Sequence, residues 1–293
     1  MATEAKVIAD SIAENGMRIC TLQLKYPRFV HSEFMTHRVF SRNASSSRAI
    51  PVEKMIEQVR TNPAMPIHWG QNQPGMQARA ELTGDALAHA KECWLIAAGL
   101  AADIAEQMEK IGLHKQVANR ILEPFQYIHV VVTATEWDNF FALRDHPDAD
   151  PNIGALARAM GVAMSESKPE LLTQGQWHLP YVTREEMDEF PPEMLCRVSA
   201  ARCARVSYLK HDGNSPELAE DLVLFTRLAG GHPIHASPLE HQALPLLNNQ
   251  SWSGNFRGWM QFRQRFENLG AYLKNSPPVA IKMEHQKARG YAI

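Results

Sequence analysis

The chain has 293 residues, a formal net charge of −2 at pH 7 and a hydrophobic fraction of 45%. This length and composition allow one large buried core or two modest ones. Net charge so close to zero argues against a nucleic-acid polymer or a membrane surface as partner, because both need a broad basic excess.

The four cysteines, at positions 20, 93, 196 and 203, form no Cys-x-x-Cys pair. The first residues contain no apolar signal core, and no apolar stretch is long enough to cross a bilayer. We therefore expect a reduced, cytoplasmic globular protein.

Hydrophobic patterning predicts the elements of the N-terminal half. Alternation over residues 26–35 indicates a strand that runs into a loop. Residues 62–74, rich in Pro, Asn, Gln and Gly, are expected to form a loop. Apolar residues at helical spacing over 76–112 predict one long helix or two stacked helices. The β-branched run at 127–133 predicts a buried strand.

The following segments are mainly helical in pattern. Thr135 stands three residues before Asp138 and is expected to cap a helix over 136–144. Residues 166–195 contain several prolines and are expected to form a connector. Further helices are expected over 152–165, 192–206 and 216–229.

Residues 36–48 form the first motif and read Thr-His-Arg-Val-Phe-Ser-Arg-Asn-Ala-Ser-Ser-Ser-Arg. Three arginines, one histidine, five hydroxyls and one amide occur there without an acidic residue. Arginine donates to phosphate in a bidentate manner, and hydroxyl groups satisfy the remaining oxygens. The composition indicates a site that can hold two or more phosphates, and a solvated basic turn is the alternative.

Residues 232–241, His-Pro-Ile-His-Ala-Ser-Pro-Leu-Glu-His, form the second motif. Histidine and glutamate would suit zinc. However, Pro233 and Pro238 exclude a helical His pair, and no cysteine is nearby. Two alternatives remain open, which are a structural turn and a metal-dependent hydrolase that uses His232, His235, Glu240 and His241.

The spacing His-Arg-x-x-Ser-x-Asn-x-x-Ser-x-Arg in residues 37–48 resembles the signature of the flavin-dependent thymidylate synthases, the ThyX family. That signature usually opens with Arg-His-Arg and has Glu after Asn, where this chain has Thr36 and Ala44. Residues 204–208 and 235–241 resemble two further family segments. Those segments precede the signature in the family but follow it here, so the order predicts a circular permutation.

A third resemblance involves residues 120–124 and 139–144, which are similar to the closing region of the family. Thr135 stands where the family has an arginine at the start of that helix. The C-terminal Arg257, Arg263 and Arg265 lie among aromatic residues. Arg263 and Arg265 echo Arg-His-Arg and could replace the missing donors, and a solvated basic helix face is the alternative.

The resemblance implies an α+β fold with a ThyX-like mixed or antiparallel sheet flanked by helices. It divides the chain into a signature-bearing part at 1–165, a connector at 166–195 and a part at 196–293 that folds into the same unit. It also implies a homotetramer with the flavin between subunits.

The implied reaction is reductive methylation of a small nucleotide, dUMP, to dTMP. Methylenetetrahydrofolate would give the carbon, FAD would carry the hydride and NADPH would reduce the flavin. The classical thymidylate synthases instead use a cysteine in a Pro-Cys-His setting, which none of the four cysteines has.

The resemblance also assigns residues to the ligands. Arg144 would meet the uracil edge, where it can stabilise negative charge that develops on the pyrimidine. The nucleotide would contact Ser46, Ser47, Arg48 and Arg120. The flavin would contact His37, Arg38, Ser41, Asn43, Asn139, His235, Ser237 and Glu240.

Departures from the family pattern keep two further functions open. Ala44 removes a carboxylate that lies next to the nucleotide in family members, so hydroxymethylation of dUMP or dCMP is an alternative reaction. Thr36, Ala44 and Thr135 together allow a catalytically inactive protein that binds nucleotide or flavin.

Overall fold

In the computed structural model, which describes residues 3–206, 217–230 and 234–266, a five-stranded mixed sheet organises the signature-bearing part. The strands lie in the order β3-β4-β2-β1-β5. All neighbours are antiparallel except β1 and β5, which are parallel. Their bounds are β1 Glu4–Ala13, β2 Arg18–Pro27, β3 Ser41–Ala44, β4 Tyr127–Ala134 and β5 Glu170–Leu172.

Short strands after the second motif form two small ladders. One pairs β6 with β9 and the other pairs β7 with β8. Their bounds are β6 Ala243–Pro245, β7 Trp252–Ser253, β8 Phe256–Arg257 and β9 Trp259–Gln261. The predicted α+β class, with a mixed sheet and flanking helices, is confirmed.

The helices differ widely in length, from a single turn to more than seven turns. The α-helices are α1 His31–Phe34, α2 Val52–Thr61, α3 Gly84–Lys110, α4 Lys115–Ala118, α5 Asp138–Arg144, α6 Pro151–Glu166, α7 Arg184–Glu189, α8 Pro192–Arg205 and α9 Leu218–Ala229. Turns of 3-10 helix occupy Arg28–Val30, Asn119–Phe125 and Ser237–Glu240. None of the described helices combines the length and the apolarity needed to cross a bilayer.

Both faces of β4 are covered, which explains its continuous β-branched sequence. Val130 and Val132 face a core that includes α6, whereas Val131 packs against Cys203 of α8. Alternate side chains of a strand point to opposite faces, so the two helices lie on opposite sides of the sheet. Helix α6 is held by the apolar row Ile153, Leu156, Ala157, Met160 and Met164.

Predictions from periodicity are confirmed for β4, α6, α8 and α9. The strand predicted over 26–35 is wrong beyond Pro27, because a 3-10 turn and α1 follow β2. Val30 and Phe34 are both buried, and their spacing of four places them on one face of a helix. The short alternation of polar and apolar residues hid this helical pair.

Two further boundaries differ from the predictions. Helix α3 begins at Gly84 rather than at 76, because the preceding residues pair back through the bridge between Gly70 and Glu81. The Thr135 cap is wrong, since Trp137 precedes α5 and gives no side-chain cap. Thr135 Oγ1 instead accepts a bond from the backbone N–H of Arg257 at 3.0 Å.

The segment at 166–195 contributes more structure than a connector needs. It supplies the edge strand β5 and the helix α7. Helix α7 is tied to α8 through the buried Arg202, whose guanidinium bonds Glu186 at 2.6 Å and Asp221 at 2.8 Å. These ion pairs connect α7, α8 and α9.

Candidate active site

The signature segment forms β3, an edge strand, and the turns on either side of it. The turn before β3 is fixed by aromatic packing. The His37 ring is 7% exposed and lies between Phe40, at 5.7 Å between ring centroids, and Phe140, at 4.9 Å. Aromatic contacts of this kind fix ring orientation as well as position.

Arg144, at the end of α5, points back onto this turn. Its Nε donates to His37 Nε2 at 3.0 Å, Nη1 to Glu33 Oε2 at 3.2 Å, and Nη2 to Thr36 Oγ1 at 3.1 Å. Nη2 also approaches the Glu33 carbonyl oxygen at 3.5 Å, so these bonds leave one of the five guanidinium N–H donors for a ligand. The predicted residues His37 and Arg144 are therefore in direct contact.

Burial and charge set the protonation of this group. Burial, together with Arg144 and Arg42, lowers the pKa of His37. A neutral His37 is what the bond needs, because Nε2 must accept from Arg144. Burial and Asp150 raise the pKa of Glu33, and Arg144 opposes that shift. Glu33 was not predicted as a site residue.

The turn after β3 carries the residues assigned to the nucleotide. Ser47 Oγ donates to Glu123 Oε1 at 2.8 Å, and Arg120 Nη1 meets the same oxygen at 2.9 Å. Arg28 Nη2 also lies 3.0 Å from it. Ser47 and Arg120 therefore come together through Glu123.

Ser46 and Arg48 are exposed on the same turn. Within the described ranges, the Arg48 side chain has no hydrogen-bond or ion-pair partner. Its guanidinium is therefore available to an anionic ligand.

The second motif packs against β3 of the same chain. The Asn43 amide faces the carbonyl oxygens of Ser237 and Arg42, so its nitrogen must be on that side. In that orientation it donates to Ser237 O at 3.0 Å and to His241 Nε2 at 3.1 Å. Gln261 Nε2 bonds both Ser41 Oγ, at 3.0 Å, and the Glu240 carbonyl, at 3.2 Å.

A buried row of polar side chains continues from His241 across the sheet. His241 Nδ1 bonds Thr133 Oγ1 at 2.8 Å, and Thr133 bonds Thr21 at 2.7 Å. Thr21 bonds His178 Nε2 at 2.8 Å, and His178 Nδ1 bonds Ser11 Oγ at 2.9 Å. When Asn43 donates to His241, each later side chain in the row can donate to the next one, from His241 to Ser11, so every bond has one donor and one acceptor.

Both imidazoles in this polar row are neutral. Burial lowers the pKa of His178 to about 3 and that of His241 to about 3. Charging either ring would place a cation in a dry interior. The polar row therefore fixes β3 and the second motif in position without adding charge.

Three predicted flavin contacts have no side-chain partners in the part of the chain that the structure describes. Arg38, Asn139 and His235 are exposed. Glu240, in contrast, is paired with Arg263, and the Arg265 guanidinium lies 5.6 Å from the Trp177 ring centroid. Arg257 Nε bonds Glu136 Oε1 at 2.6 Å.

Two sequence observations extend beyond the described residues. Ser207 and Tyr208 of the 204–208 segment, and His232 of the proposed hydrolase set, lie outside them. No cluster of three metal-ligand side chains occurs among the described residues. Both ring nitrogens of His241 are hydrogen-bonded and Glu240 is ion-paired, which argues against their use as metal ligands.

Sequence reasoning missed Glu33, Glu123 and His178. Glu123 lies within the family-like segment 120–124, three residues after Arg120, and this spacing could have predicted their ion pair. His178 lies in an apolar stretch with no motif, and its partners are more than 150 residues away in sequence. No local pattern could have identified it.

Comparisons with known proteins identify a family and solved structures that are similar to this chain. A family model described as thymidylate synthase complementing protein (Thy1) matches residues 15–170. No curated protein sequence matches the chain significantly.

One similar structure is a UMP/dUMP methylase, PolB from Streptomyces cacaoi, bound with 5-Br UMP. Its alignment has 15% identity and a TM-score of 0.46, and it covers 56% of this chain and 89% of that chain. The same protein bound with 5-Br dUMP aligns at 19% identity over 51% of this chain and 67% of that chain, with a TM-score of 0.44.

The family match contains the signature segment, β4 and the arginine-bearing helix α5, and it spans more than half of the 293 residues. The chain therefore belongs to the thymidylate synthase complementing protein family, which is the ThyX family that residues 37–48 resemble.

Proposed function

We propose that this protein catalyses the reductive methylation of dUMP to dTMP. Methylenetetrahydrofolate gives the carbon, FAD carries the hydride and NADPH reduces the flavin. Membership of the family supports this proposal. The observation that carries it is the contact of both ThyX-like motifs at one strand, where Asn43 bonds Ser237 and His241.

The side chains that the resemblance assigns to FAD are of two kinds, and together they fit a flavin site. Arg38, Asn139, His235 and Ser237 are exposed and can bind the cofactor, with Arg38 suited to its pyrophosphate. His37, Ser41, Asn43 and Glu240 are bonded within the protein and can form the walls of the site. When bound, the flavin would supply the hydride chemistry.

Arg144 is the residue we propose for catalysis. Glu33, Thr36 and His37 hold its guanidinium in one orientation, and its remaining N–H group can donate to the pyrimidine. A fixed cation stabilises negative charge on the ring without reorganising during the reaction.

The nucleotide phosphate would bind Ser46, Ser47, Arg48 and Arg120. Arg120 now pairs with Glu123, but its side chain is 56% exposed. Exposed ion pairs contribute little stability, so a phosphate can compete with the carboxylate for this arginine. Arg48 has no carboxylate partner among the described residues, so a phosphate can bind it without displacing one.

Two departures from the signature are compatible with activity. Thr36 replaces an arginine but bonds Arg144, so it supports the proposed catalytic group. Thr135 replaces another arginine, and its hydroxyl bonds the backbone of Arg257.

The order of the motifs supports a permuted arrangement. The second motif contacts β3 although it follows it by about two hundred residues, as in the bond between His241 and Asn43. We propose that the parts at 1–165 and 196–293 form one unit, connected through 166–195. A cytoplasmic homotetramer that binds flavin between subunits belongs to the same proposal.

Product analysis tests the reaction. The purified protein, mixed with dUMP, methylenetetrahydrofolate, FAD and NADPH, should form dTMP, and Arg144→Ala should be the inactive control. The product mass separates a methyl from a hydroxymethyl group, and dCMP is the second substrate to include. If the flavin is reduced but neither nucleotide changes, the synthase proposal fails and a nucleotide- or flavin-binding protein replaces it.

A further inference from the structure

A cavity of about 330 Å³ lies beside the turn after β3, on the side that Ser45 and Ser47 line, which we call the inner side. The side chains that matter for its chemistry are Lys25, Arg28, Ser45, Ser47, Lys54 and Gln126. Ser46, Arg48 and Arg120, which the proposed function assigns to the nucleotide phosphate, do not line it, whereas Ser47, assigned to the same phosphate, does. The cavity therefore adjoins the proposed nucleotide site and shares Ser47 with it.

Gln126 marks this cavity as a ligand site. The residue is 1% exposed, and its side-chain Nε2 has no hydrogen-bond partner. Buried amide donors are nearly always paired, because an unpaired one loses its bonds to water without replacement. An acceptor atom on a ligand in the cavity would satisfy this donor.

The charges indicate what kind of acceptor the cavity takes. Three cationic side chains line it, and no carboxylate does. Lys25 pairs with Glu4 at 2.9 Å and Arg28 with Glu123 at 3.0 Å. Lys54 has no ion-pair partner among the described residues.

Hydroxyl groups and an apolar wall complete the lining. Ser45 can donate to an anion, whereas the hydroxyl proton of Ser47 is already donated to Glu123, and Ile50 and Met55 provide a nonpolar surface. The volume is at the lower end of the range for small-molecule sites. A compact ligand with an anionic group and a short apolar part matches these features.

We infer that this cavity binds the phosphate or carboxylate group of a small metabolite. Lys54 and Gln126 supply the donors that lack a partner within the protein. The inference concerns the inner side of the turn and does not depend on dUMP methylation at the outer side.

Calorimetric titration with inorganic phosphate and with glutarate, at constant ionic strength, tests this inference on the full chain. At least one of the two anions should bind and raise the melting temperature. Tighter binding of phosphate would identify a phosphorylated ligand, and tighter binding of glutarate a carboxylated one. Absence of binding by both anions would overturn the inference.

Variants locate the bound anion. Gln126→Met keeps the side-chain length but removes the amide, and it should weaken binding about tenfold or more, as expected for a lost bond to a charged group. Lys54→Gln should also weaken binding, whereas Lys91→Gln, at an exposed lysine of α3, is the matched control and should bind as the natural protein does.

Two further results separate this site from the proposed nucleotide site. Gln126→Met should raise the melting temperature of the ligand-free protein, because it removes an unpaired buried donor. Arg48→Ala should leave unchanged the binding event that Lys54→Gln and Gln126→Met weaken. If Arg48→Ala abolishes binding while Lys54→Gln and Gln126→Met retain it, the anion binds the outer side and the inference is wrong.

Discussion

Two polar regions meet at β3, and they differ in solvent exposure and charge. The polar row is neutral and hydrogen-bonded throughout, buried from Ser11 to His241 and half-buried at Asn43. The group around Arg144 is charged and partly open, and its guanidinium retains an unused donor. The polar row can therefore stabilise the arrangement of the motifs, whereas the Arg144 group suits the catalytic role that we propose for it.

The largest expected effect is an acid sensitivity that comes from the polar row. His178 and His241 have folded-state pKa values lowered to about 3, below the ordinary value of about 6.5. Below about pH 6.5 the unfolded chain takes up protons that the folded protein cannot. The contribution of the two neutral histidines to the free energy of unfolding is complete above that pH and is lost as the pH falls towards 3.

Linkage gives the size of this loss. At about 1.4 kcal/mol per pH unit for each ring, the free energy of unfolding should fall by about 5 kcal/mol between pH 7 and pH 4.5. Urea unfolding at the two values measures it. His178→Gln should remove about half of the pH dependence, whereas His89→Gln, at an exposed histidine, should leave it unchanged. A pH dependence that His178→Gln leaves intact would contradict the buried neutral assignment.

The next effect concerns Arg144. Arg144→Ala should lower turnover by ~10²-fold or more, because it removes a donor to charge that develops in the transition state. The melting temperature at pH 7 should change little compared with that of His178→Gln. Arg144→Lys keeps the charge but not the planar donor geometry, and it should recover only part of the rate. Full activity of Arg144→Ala would place the chemistry elsewhere.

A smaller effect is expected at the exposed end of the signature. Arg48→Ala should raise the KM for nucleotide about tenfold, as expected for one charge-assisted bond, with kcat nearly unchanged. Steady-state kinetics separate the two parameters. A fall in kcat without a change in KM would assign Arg48 to the transition state instead of to binding.

The smallest effect is expected at Glu33. Glu33→Gln removes the charge beside Arg144 but keeps the shape, and Thr36 and His37 still hold the guanidinium. Turnover should fall less than about tenfold, since a partly exposed ion pair is weak. A loss as large as that of Arg144→Ala would show that Glu33 takes part directly.

The sequence predicted those features that depend on local pattern. The β-branched run of β4 and the apolar row of α6 are strong periodic signals, and the spacing in residues 37–48 identified the family. The helical turn that holds Glu33 was missed because its buried pair, Val30 and Phe34, is short. The partners of His178 were missed because pairing between distant strands leaves no mark in local sequence.

Of the candidate site, the resemblance assigned Asn43 and the second motif to one flavin but did not predict their direct contact. The shared carboxylate of Glu123 needed the structure, because three side chains from different segments converge on it. Such convergence is a property of tertiary packing. Sequence spacing alone gives the types of group that are present but not their partners.

Anaerobic single turnover tests the central claim most directly. The flavin-loaded protein is reduced with one equivalent of NADPH and then mixed with dUMP and methylenetetrahydrofolate while flavin absorbance and dTMP are followed together. The account predicts that oxidised-flavin absorbance returns as dTMP forms, one dTMP for each flavin, and that Arg144→Ala slows both. Formation of dTMP without flavin reoxidation, or no product from fully reduced flavin, would contradict it.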